Sequence, residues 1–109
     1  MKYNTSFVNN NEIKIHYIDS INQADNSLYS LIICPGLSEI AEEYIDLMEY
    51  LLPRRAIALS FRGRGKSETP KTGYNLQDHV SDIEHIVDEL KLTQFHLFGN
   101  SRGVSYALG

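Results

Sequence analysis

Apolar and polar positions alternate over residues 12–18, with Ile13, Ile15 and Tyr17 set against Lys14 and His16. That period of two is the pattern of a half-exposed strand. Residues 19–27 are polar and turn-like, and residues 28–34 form an almost unbroken apolar run closed by Pro35-Gly36. Such a run fits a strand buried on both faces. Ser38 then stands as a helix cap, with Glu39, Glu42 and Glu43 near the positive end of a helix reaching about Leu52. Ile40, Tyr44, Leu47, Met48 and Leu51 keep a helical period, and Pro53 ends it.

A second buried-type strand is expected over residues 56–61, and residues 62–73, rich in Gly, Pro, Lys and Thr, read as loop. Asn75 is placed to cap a second helix, in which Leu76, Val80, Ile83, Val87 and Leu90 fall on one face. Residues 95–98 make a third buried-type strand, and residues 104–108 resemble the start of a helix. The polar, Asn-rich stretch before residue 12 carries no element in this reading. The order is therefore β, β, α, β, α, β, α. Strands alternating with amphipathic helices imply right-handed crossovers. The expected fold class is a three-layer α/β/α arrangement on a mostly parallel sheet.

Composition adds little to that picture. The chain has 109 residues, 42% hydrophobic and 22% charged, with a net charge of −4. Basic residues are scattered apart from Arg62, Arg64 and Lys66, so there is no broad basic face for a nucleic acid. No apolar run approaches the ~20 residues that span a bilayer, and residues 1–11 hold no apolar core of a signal peptide. The single cysteine, Cys34, has no internal partner for a disulfide. These features make a cytoplasmic protein the expectation, with no membrane or nucleic-acid partner.

Chemistry enters at Gly99-Asn100-Ser101-Arg102-Gly103. Gly-x-Ser-x-Gly is common by chance, but here it closes an apolar strand and opens a helical pattern, the setting of a nucleophile elbow. The turn must push the serine hydroxyl above the sheet, and backbones close in two residues to either side, where only small residues fit. Gly99 and Gly103 meet that demand. The helix expected behind Ser101 would point its positive end at a developing oxyanion. A surface turn that happens to contain serine would explain the glycines but not the strand before and the helix after.

With the elbow in place, residues 12–109 resemble the α/β-hydrolase superfamily. Ile13-Lys14-Ile15-His16-Tyr17 is similar to its opening strand, and Cys34-Pro35-Gly36-Leu37 to the His-Gly-x segment before its first core helix. Ser60-Phe61-Arg62-Gly63-Arg64-Gly65-Lys66-Ser67 resembles its Asp-x-Arg-Gly-x-Gly-x-Ser loop. The four matches, the elbow included, come in the family's order. The resemblance implies that Ser101 is the nucleophile and that the backbone N–H groups of Leu37 and Arg102 form the oxyanion hole. It implies no cofactor and no metal, and a small-molecule substrate. Two departures stand out: Pro35 replaces the usual histidine, which bears on how the oxyanion segment is held, and Ser60 replaces an aspartate. A serine nucleophile argues for acyl transfer on an ester, thioester or amide. It argues against the family's dehalogenases and epoxide hydrolases, whose nucleophile is a carboxylate.

A serine needs an adjacent base oriented by an acid, and the family's order is Ser, then Asp or Glu, then His. Eight residues follow Ser101, none of them acidic or histidine. His16, His79, His85 and His96 read as structural or surface residues. Asp78, Asp82, Glu84 and Asp88 read as a solvated helix face, with a contact from Asp82 to the loop around Arg62 as an added guess. The Arg62-Arg64-Lys66 cluster reads as solvated loop, and Cys34 as a small buried residue closing a strand. Tyr44, Phe61 and Tyr106 serve either the pocket or the core.

The expectation is thus the N-terminal part, residues 1–109, of a single truncated α/β-hydrolase domain. Its elbow strand would be left as an edge open to a complementing C-terminal half or to self-association. Two alternatives to an esterase-like serine hydrolase stay open. One is a non-catalytic hydrolase-fold protein, either a ligand-binding receptor or a degenerate remnant. The other uses the elbow for lyase or C–C bond chemistry.

Overall fold

The computed structural model describes residues 3–21, 24, 28–36, 39–74 and 76–99. Five strands and two helices are built from them: β1 (Asn4–Asn10), β2 (Ile13–Asp19), β3 (Ser30–Cys34), α1 (Ile45–Leu51), β4 (Ala56–Leu59), α2 (Leu76–Glu89) and β5 (Phe95–Gly99). A single 3-10 turn, Ala41–Tyr44, leads into α1. The strands lie in one mixed sheet in the order β1-β2-β4-β3-β5. The pairs β1–β2 and β2–β4 are antiparallel, and β3–β4 and β3–β5 are parallel.

The alternation of Cβ directions along each strand divides the core in two. Ile15 and Tyr17 of β2, Ile32 and Cys34 of β3, and Ile57 and Leu59 of β4 face α2, where they meet Ile83 and Ile86. Ile18, Ile33, Ala56 and Ala58 take the other face and pack with Met48 of α1 and Ala41. Helices therefore lie on both sides of the sheet, giving three layers. Ile32, Ile57 and Leu59 are fully buried, each contributing about 1.5–3 kcal/mol of apolar burial.

Several local expectations need correction. The Asn-rich stretch forms β1, joined to β2 by a two-residue connection at Asn11 and Glu12, both with positive φ (50° and 73°). Positive φ at both central residues matches the right-handed twist of a hairpin. Val8 and Asn10 are the inward positions of β1, a pattern too short and polar to stand out as alternation. β2 is buried on both faces from Ile15 onward, because Ile15 and Tyr17 pack with α2, Ile18 packs with the opposite cluster, and the loop after β4 reaches His16.

The first helix begins later than expected. Ile40 precedes the 3-10 turn with no side-chain cap of its own, and instead the Ser60 hydroxyl accepts the Ala41 N–H (2.8 Å). The expected caps Ser38 and Asn75 lie outside the described residues, as does the helix expected over residues 104–108. On α2 the buried positions are His79, Asp82, Ile83 and Ile86, with Leu76 at 45% exposure. The stripe is thus rotated toward two polar residues that the loop after β4 draws inward. The helix stops at Lys91 (φ 56°), where the Leu92 N–H reaches back to the Val87 carbonyl (3.0 Å), as in a Schellman ending.

β5 also departs from its buried-type pattern. Its central residues His96, Leu97 and Phe98 are exposed. Among the described residues β5 pairs only with β3, and Phe95 is its one residue packed against a core cluster.

Candidate active site

Parallel strands bring their carboxyl ends to one edge of a sheet, and ligands in such folds bind just outside that edge. β3 and β5 are adjacent and parallel, and Cys34 is paired in register with Gly99. The segment opening with Pro35-Gly36 and the motif opening with Gly99 therefore leave the sheet side by side. These are the two segments in which the sequence led us to expect an oxyanion donor and a nucleophile. Gly99 is the last residue of β5. Leu37, Ser101, Arg102 and Gly103, the other expected site residues, lie outside the described residues, and so does Tyr106.

The segment after β3 is held by a carboxylate. The Gly36 N–H donates to Glu39 Oε1 (2.5 Å), and the Glu39 N–H donates to the Gly36 carbonyl (3.1 Å). The same Oε1 accepts the Tyr44 hydroxyl (2.6 Å). Gly36 and Glu39 thus exchange two hydrogen bonds, the carboxylate satisfying a backbone N–H three residues before it. The Tyr44 ring meets Phe98, next to Gly99, edge-on at 6.4 Å. Sequence reading placed Glu39 only among acids at a helix start; the spacing from Gly36 was the available signal.

The loop after β4 forms a wall beside this edge. Ser60 takes up the place of the expected aspartate by accepting the Ala41 N–H, and its backbone N–H donates to the His16 carbonyl (2.9 Å). The Ser67 hydroxyl donates to the Ser60 carbonyl (2.5 Å) and accepts the His16 N–H (2.7 Å). At Gly65 φ is +52°, and a Cβ there would lie 2.9 Å from Ser60 Oγ and 3.1 Å from Ile40 Cγ2. The loop therefore packs tightly on the residues that follow Glu39.

Arg62 and Asp82 are corrections to the solvated-loop and solvated-face readings. Arg62 Nε and a terminal nitrogen donate to the Asp82 carboxylate at 2.7–3.2 Å, with side chains 5% and 0% exposed. The contact guessed between Asp82 and this loop is present. Asp82 also accepts from Asn10 Nδ2 (2.9 Å), tying β1 into the same network. Arg62 is raised further above its usual range, first by its hydrogen bond to Asp82.

The remaining titratable candidates are structural. His79 is buried, with its ring beside Phe61 (5.4 Å) and Tyr74 (6.3 Å). Phe61 itself is core. His85 contacts the Ser81 carbonyl (2.8 Å), and His96 packs beside Tyr29. Cys34 is fully buried and its thiol is pushed up to about 12 by that burial, so its thiolate is suppressed. His16 is held below its ordinary 6.5 by burial, with Glu42 opposing and Lys66 adding to the effect. Among the described residues no three His, Cys, Asp or Glu side chains are grouped to hold a metal ion, and no helix is long and apolar enough to cross a membrane. An open groove of about 470 Å³ beside the Asp19–Arg55 ion pair lies at the opposite end of the sheet, before the start of β4.

Residues 29–104 match the family model described as the alpha/beta hydrolase fold. The chain belongs to that family. In structure it is similar to an alpha/beta hydrolase from Novosphingobium aromaticivorans DSM 12444, with a TM-score of 0.89, 23% identity, and coverage of 97% of this chain and 38% of that one. It is also similar to an esterase from Exiguobacterium antarcticum (TM-score 0.85, 29% identity, 94% and 38%). An epoxide hydrolase from Vigna radiata is a third relative in fold (TM-score 0.81, 23% identity, 96% and 34%). The chain thus spans only 34–38% of the length of these structures. No curated protein matches it in sequence.

Proposed function

We propose that this chain carries the nucleophile half of a cofactor-free serine hydrolase acting on an ester or similar small acyl substrate. The observation that carries the reading is the register of β3 with β5, which ends Cys34 beside Gly99. Ser101 would attack the acyl carbonyl and form an acyl-enzyme. The backbone N–H groups of Leu37 and Arg102 would donate to the resulting oxyanion, a contribution worth about 10²–10³ in kcat for one such donor. A serine at the elbow, where carboxylate-dependent relatives carry an acid, favours acyl transfer over their chemistry, and the 29%-identical relative is an esterase.

The proposal requires an acid and a histidine base beyond the residues following Ser101 in this sequence. The test uses the protein isolated from its source, profiled on small esters and treated with a serine-directed phosphonate. Label at Ser101, and loss of turnover in Ser101→Ala, are expected. Turnover unchanged by that substitution excludes the mechanism. Tight ligand binding without turnover would instead make the protein a non-catalytic member of the family.

A further inference from the structure

We infer that His16 and Glu42 form a proton-operated tie between β2 and the 3-10 turn, in which His16 Nδ1, on gaining a proton, donates to Glu42 Oε1. The tie is independent of the chemistry proposed at Ser101, and all its groups lie among the described residues. Buried polar atoms almost always find a hydrogen-bond partner. Among the described residues two enclosed side-chain atoms make none, His16 Nδ1 and Glu42 Oε1. The first can gain a proton; the second, on an ionised carboxylate, can only accept a hydrogen bond. Both belong to one corner of the fold. Ile15 and Tyr17 face α2, so the ring between them turns to the opposite face, where Ile18 packs with Ala41. Glu42 follows Ala41, whose N–H is held by the Ser60 hydroxyl, and the Ser60 N–H donates to the His16 carbonyl. Glu42 Oε2 lies 3.8 Å from Lys66 Nζ, and the hydroxyl of Ser67, the next residue, accepts the His16 N–H.

The other ring nitrogen fixes the form that His16 takes. Nε2 lies 2.5 Å from Thr5 Oγ1, and the bond made at one nitrogen sets where the ring's hydrogen sits. Neutral His16 therefore carries its hydrogen on Nε2 and donates it to Thr5, which leaves a bare lone pair on Nδ1. Two lone pairs, on Nδ1 and Oε1, form no bond with each other. The charged groups that act on the ring are Glu42 from the 3-10 turn and Lys66 from the loop after β4. From β1 come Thr5 and the Phe7 ring at 5.3 Å, neither of which titrates. Burial holds His16 below 6.5, with Glu42 opposing and Lys66 adding to the effect, so the proton arrives only in acid. Nδ1 then takes it from solvent and the N–H donates to Oε1, while Oε2 stays beside Lys66. Hydrogen bonds between ionised groups are the stronger kind, so the acid form fastens to the sheet the turn that leads into α1.

The experiment follows the His16 ring nitrogens by long-range hydrogen–nitrogen NMR in the protein from its source, isotope-labelled at histidine, from mildly alkaline to acid pH. The His16→Leu variant identifies the signals. Above pH 6.5 the hydrogen is expected on Nε2 alone, and in acid Nδ1 is expected to gain a hydrogen-bonded proton. Glu42→Ala is expected to weaken proton binding by His16 about threefold to tenfold, and Glu42→Gln, which keeps an uncharged acceptor, by less. Lys66→Met removes a repelling cation from a side chain 63% exposed. It is expected to strengthen proton binding, a second reading if the Glu42 variants fail to fold. Proton binding in a folded Glu42→Ala equal to that of the wild type overturns the tie. So does a proton already on Nδ1 above pH 6.5, or weaker proton binding in Lys66→Met.

Discussion

Asp82→Ala should be among the most costly single substitutions in this chain. Its carboxylate accepts three hydrogen bonds of 2.7–3.2 Å from the Arg62 guanidinium, a longer one from the Arg62 backbone N–H (3.3 Å), and one from Asn10 (2.9 Å). Removing it leaves a cation whose side chain is 5% exposed, still near the Gly73 carbonyl (3.0 Å) and the partly exposed Asp78 carboxylate (3.8 Å). Breaking a buried pair by deleting one partner costs about 3–5 kcal/mol. The surviving contact with Asp78 places the expected loss toward the lower end, about 3–4 kcal/mol. Globular domains have about 5–15 kcal/mol in all, so the variant should retain at best a fraction of its stability.

The chain has no tryptophan, so urea unfolding is best followed by far-ultraviolet circular dichroism. With a urea m-value of about 1–1.5 kcal/mol/M, the midpoint should fall by about 2–4 M. The control is Arg62→Met with Asp82→Leu. Replacing both partners by apolar side chains leaves no uncompensated charge and should recover most of the loss. A loss below about 1 kcal/mol in Asp82→Ala, or a double variant no more stable than the single, would refute the argument from burial.

Two other predictions concern buried titratable groups. His16 is depressed below 6.5 in the folded chain, so between its folded value and 6.5 the unfolded chain binds the extra proton. Its contribution is complete above pH 6.5 and is lost as pH falls below that value. The pH dependence of urea midpoints should therefore slope upward toward pH 6.5, and His16→Leu should flatten that part of the slope. An unchanged slope would contradict the assignment. Cys34, at about 12, should have only about 10⁻⁴ of its thiol ionised at pH 8. A thiol reagent should therefore react slowly until urea unfolds the chain, and rapid native-state labelling would count against the buried placement.

Local patterns made most of the elements legible, because strand and helix periods depend on which positions face the core. The apolar runs before Pro35 and over residues 56–61 correspond to β3 and β4, and the helical period after residue 75 to α2. The Gly-x-Ser-x-Gly string and the Arg-Gly loop, taken in order, were enough to suggest the family. Periodicity does not state which partner a polar side chain will find. Asp82 and Arg62 look like solvated charges until the loop after β4 folds onto α2 and makes them each other's counter-ion. Glu39 looks like one of several helix-start acids until Gly36 and Tyr44 converge on it. β1 was hidden because a short polar strand is stabilised by its hairpin partner more than by its own pattern.

The chain's own order of residues determined the alternation of strands and helices, the Gly-x-Ser-x-Gly motif and the family. Those properties follow from local periodicity and from motifs contiguous in the chain. Tertiary structure alone decided that Cys34 and Gly99 end side by side, that Ser60 serves as a cap for Ala41, and that an aspartate on α2 is buried against an arginine. Each of these depends on groups brought together from 19 or more residues apart, as the separations of Ser60 from Ala41 and Asp82 from Arg62 illustrate. Sheet register and burial select such pairs, since a polar group removed from water must find its partner wherever the fold places one.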